Sequence, residues 1–241
     1  MSLYLKNEKL FILIILLLIS NTTSAQKSDK LSVRYITYSD NKPDESYQSD
    51  PNKMKYYLMM KEWMESVVFL LTINGKTSQF ETIKKMTLWH EKANPAQRTM
   101  DKTSYYVDSI TFIEQRIAFD ELYLIEGFSN QINWELSNET KKILGYTCYK
   151  ATYTYQEITP IAIEAWYAPK LLYRFGPMRN HGLPGLILEV VQNKVLHYEA
   201  IDIIWDDEVF IIKPIAGKKI TLEALNKRYK TVIGEKLMEK N

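Results

Sequence analysis

The chain has 241 residues, with 31 Lys and Arg against 29 Asp and Glu, 46% hydrophobic residues and one cysteine. This length and hydrophobic content are sufficient for a folded core and exclude an intrinsically disordered chain. A net charge of only +2 excludes the strongly basic surface that binds nucleic acid, and one cysteine excludes a disulfide framework and cysteine-rich metal sites.

The first 25 residues have the pattern of a secretory signal peptide. Lys6 and Lys9 precede an unbroken apolar run of ten residues, 10–19, and small residues follow up to Ala25. Crossing a bilayer takes about 20 apolar residues, so the run is too short for a stable span, and an uncleaved anchor is the alternative. We predict an exported protein, periplasmic or extracellular, with residues 26–241 as the mature chain and no further membrane span.

A strand and a hairpin are predicted early in the mature chain. Alternating apolar residues predict a strand over 31–38. Residues 67–73 form a β-rich apolar run that ends at Asn74-Gly75, a pair that takes the positive φ angles of a tight turn. Residues 76–83 are the predicted return strand, with Phe80 facing inward.

The segments around this hairpin have weaker patterns. Residues 39–53 contain two prolines and many Asp, Asn and Ser residues, which predicts a loop. Residues 93–103, around Pro95, predict a second loop. Residues 54–65 fit a helix roughly, although their aromatic residues also suit a strand, and we favour the helix.

Short strands then follow one another to residue 212. Because no helical segments separate them, they predict an antiparallel meander rather than alternating strands and helices. After Thr221, a suitable N-cap, apolar residues recur at helical spacing. We predict one mainly β domain (β-rich α+β) over 26–241, a curved antiparallel sheet or half-barrel with a C-terminal helix. The predicted strands are residues 105–107, 111–118, 122–126, 131–136, 147–155, 161–168, 186–192, 196–203 and 209–212.

Prolines and glycines are concentrated between residues 160 and 185. Four of the eight prolines and three of the eight glycines lie there. Proline fixes φ, and glycine adopts backbone angles that are closed to other residues. The segment therefore predicts a fixed, sharply turning connection between two strands.

The hexapeptide Gly182-Leu183-Pro184-Gly185-Leu186-Ile187 resembles the signature of the GLPGLI family of exported bacterial proteins, and the resemblance extends over roughly residues 120–205. It implies an exported protein without an established activity and offers no catalytic residues to carry over. The hexapeptide itself has the character of a structural motif, a turn that leads into a buried strand. The other residues that carry the resemblance are Trp134, Ile143-Leu144-Gly145-Tyr146, Cys148, Lys150-Ala151, Ala165-Trp166-Tyr167, Gly176-Pro177 and Leu188-Glu189.

Aromatic residues of two predicted strands are candidates for a ligand or partner surface. Three tyrosines alternate on one face of a strand, and Trp166 and Tyr167 point to opposite faces of another. Such stripes most often line a core, and the alternative is a concave apolar groove. With two polar residues of the Gly/Pro-rich segment, the candidate binding residues are Tyr149, Tyr153, Trp166, Tyr167, Arg179 and His181, and Tyr155 shares the face of the first two.

No arrangement in the sequence predicts a catalytic residue, a metal site or a cofactor. Cys148 has no histidine near it in sequence and is expected to be a buried structural residue. The three histidines lack a paired metal-ligand spacing. Glu189 follows an apolar run, so an inward-facing side chain would need a partner, for which Lys150 and Arg174 are candidates.

We therefore favour a noncatalytic protein of the cell envelope that binds either a partner protein or an apolar small molecule. The alternative is an enzyme whose site is assembled from scattered residues near the Gly/Pro-rich turn, namely Arg179, His181 and Glu189.

Overall fold

The structure is a computed structural model that describes residues 29–83, 103–129, 132–156, 159–205 and 208–238. The predicted signal peptide and nearly all of the predicted loop around Pro95 lie outside these ranges. The elements are β1 Lys30–Ser39, α1 Glu45–Gln48, α2 Pro51–Glu65, β2 Val68–Asn74, β3 Thr77–Thr82, β4 Thr103–Val107, β5 Thr111–Ala118, β6 Glu121–Phe128, β7 Glu135–Ile143, β8 Tyr146–Gln156, β9 Pro160–Ala168, β10 Leu186–Gln192, β11 Leu196–Trp205, β12 Lys218–Ile220 and α3 Leu222–Met238.

The strands form one sheet in the order β12-β6-β5-β4-β3-β2-β1-β11-β10-β9-β8-β7. Every pairing is antiparallel except that of β12 with β6, which is parallel. We call β12 and β6 to β3 the first wing, and β10 to β7 the second wing. The mainly β fold with a C-terminal helix is thus confirmed, with one short parallel pair that the sequence did not indicate.

One face of the sheet carries the core. Cross-strand partners in successive strands place Val33, Leu71, Phe80, Tyr105 and Glu114 in one row on this face. Val33 and Leu71 are fully buried, and Phe80 is nearly so. Because side chains alternate along a strand, the hydrophobic alternation in β1 and β2 determines which face is buried.

The sheet curves around the connection between β9 and β10, residues 169–185, which we call the plug. Tyr153 in the second wing donates its hydroxyl hydrogen bond to Asn180 Oδ1 in the plug at 2.9 Å. Phe112 in the first wing stacks on His181 of the plug, with ring centroids 6.1 Å apart. Since β5 and β8 lie near opposite ends of the strand order, both can reach the plug only if the sheet is curved.

The predicted hairpin is confirmed, with a shift of one residue in its turn. Asn74 pairs with Thr77, so the two loop residues are Gly75 and Lys76. Gly75 has φ 57° and Lys76 has no positive φ, which is the pattern of a type II′ turn with glycine at its first central position. Phe80 faces the core as predicted.

The predicted loop 39–53 is wrong in part, because it contains α1 and the start of α2. Asp44 and Asp50 cap these helices by accepting backbone N–H groups, and Pro51 occupies the first turn of α2. Aspartate caps and a first-turn proline are helix-start signals. No side chain of α2 is buried, which explains why its apolar pattern was weak. The helix over 54–65 is confirmed.

Two strand predictions near the edges of the sheet are wrong. Strand β7 covers Glu135–Ile143 rather than 131–136, and most of its side chains are exposed and polar, so it lacks an apolar pattern. Residues 209–212 form no strand, and β12 at Lys218–Ile220 was missed. In the 208–217 segment, Ile211 packs on Tyr106, Ile113 and Leu124 at the outer face of the first wing.

The C-terminal helix α3 begins as predicted. Thr221 accepts a hydrogen bond from the backbone N–H of Ala224 at 3.1 Å. Leu225 is fully buried and packs against Ala118, Tyr123 and Ile125 in β5 and β6. The helix therefore packs on β5 and β6 of the first wing, on the face that carries Glu114.

Candidate functional site

The plug is a rigid, buried segment. Its backbone is joined to the start of β10 by hydrogen bonds from Leu186 N–H to Leu171 O and from Ile187 N–H to Phe175 O, each 2.9 Å. Tyr35 in β1 donates its hydroxyl hydrogen bond to Ile187 O at 2.6 Å. The predicted fixed connection is confirmed, and its course inside the curve of the sheet is a finding of the structure. Its buried residues include Leu171, Phe175, Met178, Asn180, His181 and Leu183.

A buried ionic cluster joins the plug to the first wing. The Glu114 side chain is fully buried, and Arg116 and Arg179 form ion pairs with its two carboxylate oxygens. The Arg179 guanidinium also lies over the ring of Tyr155 in the second wing, 3.8 Å from its centroid, and 5.3 Å from that of Phe112. A single plug side chain therefore contacts both wings. A buried carboxylate is tolerated because it is paired on both oxygens.

His181 holds the plug to the end of β6. Its Nδ1 lies 2.6 Å from Arg179 O, and its Nε2 lies 2.6 Å from Ser129 O. Burial lowers the pKa of His181 and outweighs the two carbonyl oxygens, which raise it. Both ring nitrogens therefore face backbone carbonyl oxygens, and a neutral ring can donate to only one of them.

An inner cavity of about 350 Å³ lies between the two wings on the Arg179 side of the plug. The first wing contributes Tyr105 and Glu114 to its wall, and the second wing contributes Tyr155 and Ile163. Thr103, the first residue of β4, is also part of the wall. Polar and aromatic groups dominate this wall, and the ionic cluster described above occupies part of it.

A larger cavity of about 550 Å³, which we call the end pocket, lies at the other end of β4, where Val107 is the last strand residue. Its wall is built from the β2–β3 turn, the β4–β5 turn, the end of β6 and the start of the plug. The two cavities share no lining residue, so the plug separates them. The apolar residues of the end pocket are Val107, Ile132, Leu172, Tyr173 and Phe175.

The six predicted binding residues do not form one site. Tyr153 and Arg179 both lie on the concave side, where burial raises the pKa of Tyr153 to about 12. Trp166 lies on the opposite face of the sheet. Its ring centroid is 4.5 Å from Lys141 Nζ and 5.9 Å from Lys150 Nζ. Tyr149 and Tyr167 contact each other at 6.2 Å between ring centroids. Of the six, only His181 lines the end pocket.

Glu189 is buried, but its partners differ from the predicted ones. Its carboxylate pairs with Lys141 and with His197, whose Nδ1 lies 2.9 Å from Glu189 Oε1. Lys150 instead pairs with Glu139, and Arg174 donates to Gly182 O. Glu189 thus has partners apart from Arg179 and His181, so the three residues of the enzyme alternative do not converge on one site.

Cys148 is fully buried, and burial raises the pKa of its thiol to about 11. A thiol in this state is not an active nucleophile near neutral pH. The expectation of a structural cysteine agrees with this environment.

Of the residues that line the end pocket, the sequence indicated only His181 as a binding residue. Its wall combines parts of several loops that are distant in the chain, and no local motif identifies such loops. A further signal was Leu172, an apolar residue inside the Gly/Pro-rich segment.

Two further observations concern the described part of the chain. No three His, Cys, Asp or Glu side chains are grouped there as metal ligands would be. No helix within the same ranges is long and apolar enough to cross a membrane.

Comparison with known proteins gives a family match and several similar solved structures. Residues 114–226 match the model of the N-glycanase peptide, N-terminal domain. Two structures of PNGF-II, in different space groups, resemble the chain with TM-scores of 0.52 and 0.47 at 15% and 16% identity. The matches cover 86% and 80% of this chain but 33% and 30% of PNGF-II, so the chain spans about a third of that protein's length. No curated protein matches the chain in sequence. At this identity the first structure shows a shared fold alone.

Proposed function

We propose that this domain is a noncatalytic binding module whose end pocket takes up an apolar ligand. The observation that supports this proposal is the size and rim of the pocket. Its volume of about 550 Å³ falls within the range of small-molecule sites, roughly 300–1,000 Å³.

Exposed apolar side chains lie at the end pocket or next in the chain to residues that line it. Leu172, which lines it, is 86% exposed. Ile110 and Phe128, each next in the chain to a lining residue, are 69% and 63% exposed. A hydrogen bond from Ser129 N–H to Ile110 O joins their two loops. Clustered exposed apolar side chains are typical of binding sites.

The end pocket is also rigid, which favours binding. His181 connects the plug to Ser129, and Trp134 donates its indole N–H to His181 O at 2.8 Å. Because the wall is held in place before binding, a ligand loses less free energy in ordering it. The similarity to an N-glycanase N-terminal domain is compatible with a binding module, and the proposal takes over no activity from that protein.

Leu172→Ser should weaken binding of a neutral apolar probe, Nile red, by about fivefold, because it removes apolar contact area at the rim. Fluorescence titration of the purified mature chain measures this. Ile215→Ser is the matched control, since Ile215 is 87% exposed but lies on the segment that crosses the outer face. It should leave affinity unchanged. Equal effects of the two substitutions, or no saturable binding by the wild type, would contradict the proposal.

We also propose that the chain is exported and belongs to the GLPGLI family. The charged start, the ten-residue apolar run and the series of family-like residues around the hexapeptide support this. Expression of the full chain in a bacterial host should yield an envelope or extracellular product that begins at Gln26. N-terminal sequencing checks this, and an intact first residue Met1 on all of the product would refute cleavage.

A further inference from the structure

We infer that the ligand of the end pocket is an anionic amphiphile, an apolar tail that ends in a carboxylate. This inference rests on the proposed function and adds the chemistry of the ligand's polar end. Besides its apolar residues, the wall of the pocket carries two cationic side chains, Lys76 from the β2–β3 turn and Arg174 from the plug.

Lys76 presents an exposed ammonium group at the pocket. It is the second residue of the two-residue β2–β3 turn and is exposed. Among the described residues, no carboxylate lies within ion-pair distance of it. The turn itself is held in place, because Gly75 N–H donates to Asp29 O at 3.0 Å. The backbone that carries Lys76 is therefore held at the pocket wall, and its side chain is exposed to a ligand.

Arg174 presents an oriented guanidinium. Its Nε and Nη2 both donate to Gly182 O, at 3.3 and 2.6 Å, which fixes the plane of the group. An arginine has five N–H donors, so the remaining ones are left for a ligand. Two parallel donors of a guanidinium match the two oxygens of a carboxylate, which favours this head group over a neutral one.

The carboxylate in the pocket wall does not cancel these cations. Asp108 accepts hydrogen bonds from the N–H groups of Ile110 and Thr111 at 2.9 and 2.7 Å, and it lies 3.5 Å from Lys213. Burial raises the pKa of Asp108, but these hydrogen bonds outweigh it and the pKa is lowered. Asp108 is thus ionised and already paired. Burial raises the pKa of Tyr173, and the charge of Asp29 raises it further. Asp29 itself does not line the pocket.

The test uses three ligands with the same ten-carbon tail: decanoate, decanol and decyltrimethylammonium, each below its micelle-forming concentration. Isothermal titration calorimetry on the mature chain should show decanoate binding most tightly and the cation most weakly. Added salt should weaken only decanoate, because screening acts on the charge interaction.

Lys76→Gln and Arg174→Gln should each weaken decanoate about fivefold and leave decanol unchanged. Lys194→Gln is the matched control, since Lys194 is an exposed lysine of another hairpin turn, the three residues between β10 and β11. It should change neither affinity.

The outcomes separate this inference from the proposed function. If decanol binds as tightly as decanoate, or if Lys76→Gln and Arg174→Gln leave decanoate binding intact, the anionic ligand is refuted. The apolar pocket still stands in that case if Leu172→Ser weakens all three ligands. If none of the three ligands binds, the pocket itself is refuted as a ligand site, and the inference fails with it.

Discussion

Gly185→Ala is expected to lower the free energy of unfolding by about 3 kcal/mol. A Cβ atom at Gly185 would lie 2.4 Å from the carbonyl oxygen of Ala168, 2.6 Å from its carbonyl carbon and 2.9 Å from Pro169 Cα. All three are backbone atoms at the point where the plug leaves β9. No side chain can rotate away to make room, so the substitution must displace the start of the plug or of β10.

Gly145→Ala is the control for this substitution. Gly145 has φ 79° in the β7–β8 turn, and nothing lies within 4 Å of an added Cβ. Its replacement therefore costs only the left-handed backbone angle, about 1 kcal/mol. Urea unfolding of both variants measures the difference. A loss for Gly185→Ala no greater than for Gly145→Ala would show that the close approach to Ala168 does not limit stability.

The hexapeptide illustrates what the sequence predicts well. Its Gly and Pro residues predicted a fixed turn, and its apolar residues predicted a buried strand over 186–192, the bounds that β10 has in the structure. These are local properties, since φ restriction and apolar patterning act within a few residues. The position of the turn inside the curved sheet is not local, because it depends on contacts with β5 and β8.

The sequence contained a sign of the ionic cluster that was not used for prediction. In β5, Phe112, Glu114 and Arg116 fall on one face at a spacing of two, together with apolar neighbours that mark this face as the core. A carboxylate at a core position of a strand implies a buried partner. The identity of that partner was not predictable, because Arg179 lies 65 positions further along the chain.

The end pocket could not be predicted from the sequence. Strand patterns located the elements that end there, but the pocket depends on how four connections meet at one end of the curved sheet. Lys76 and Arg174 are separated by nearly 100 residues, and in the sequence each is indistinguishable from an ordinary surface cation. Their shared position at an apolar wall comes from the curvature of the sheet.

The plug both holds the two wings of the sheet together and forms part of the end pocket. Its ion pair with Glu114 and its bridge through His181 tie it to the first wing, while Tyr153 and Tyr155 tie it to the second. The same segment supplies Leu172 and Arg174 to the end pocket. Stability of the curved sheet and the shape of the pocket are thus coupled through a single connection.

Removing the buried charge of Glu114 tests that coupling. Glu114→Gln should cost about 3–5 kcal/mol of unfolding free energy, because it takes away the carboxylate that lies between two guanidinium groups. Arg179→Met should cost a similar amount, since it leaves part of the Glu114 carboxylate uncompensated. The double variant should lose at least 1 kcal/mol less than the sum of the single losses, because the two groups interact directly.

The surface pair Arg34–Asp202 is the control for this cycle. Arg34 Nη2 lies 2.5 Å from Asp202 Oδ2, but the two side chains are 44% and 40% exposed. Asp202→Asn should therefore cost less than about 1 kcal/mol. Urea unfolding at neutral pH measures all of these variants. A loss for Glu114→Gln no greater than that for Asp202→Asn would mean that the Arg179 contact does not hold the plug against the first wing.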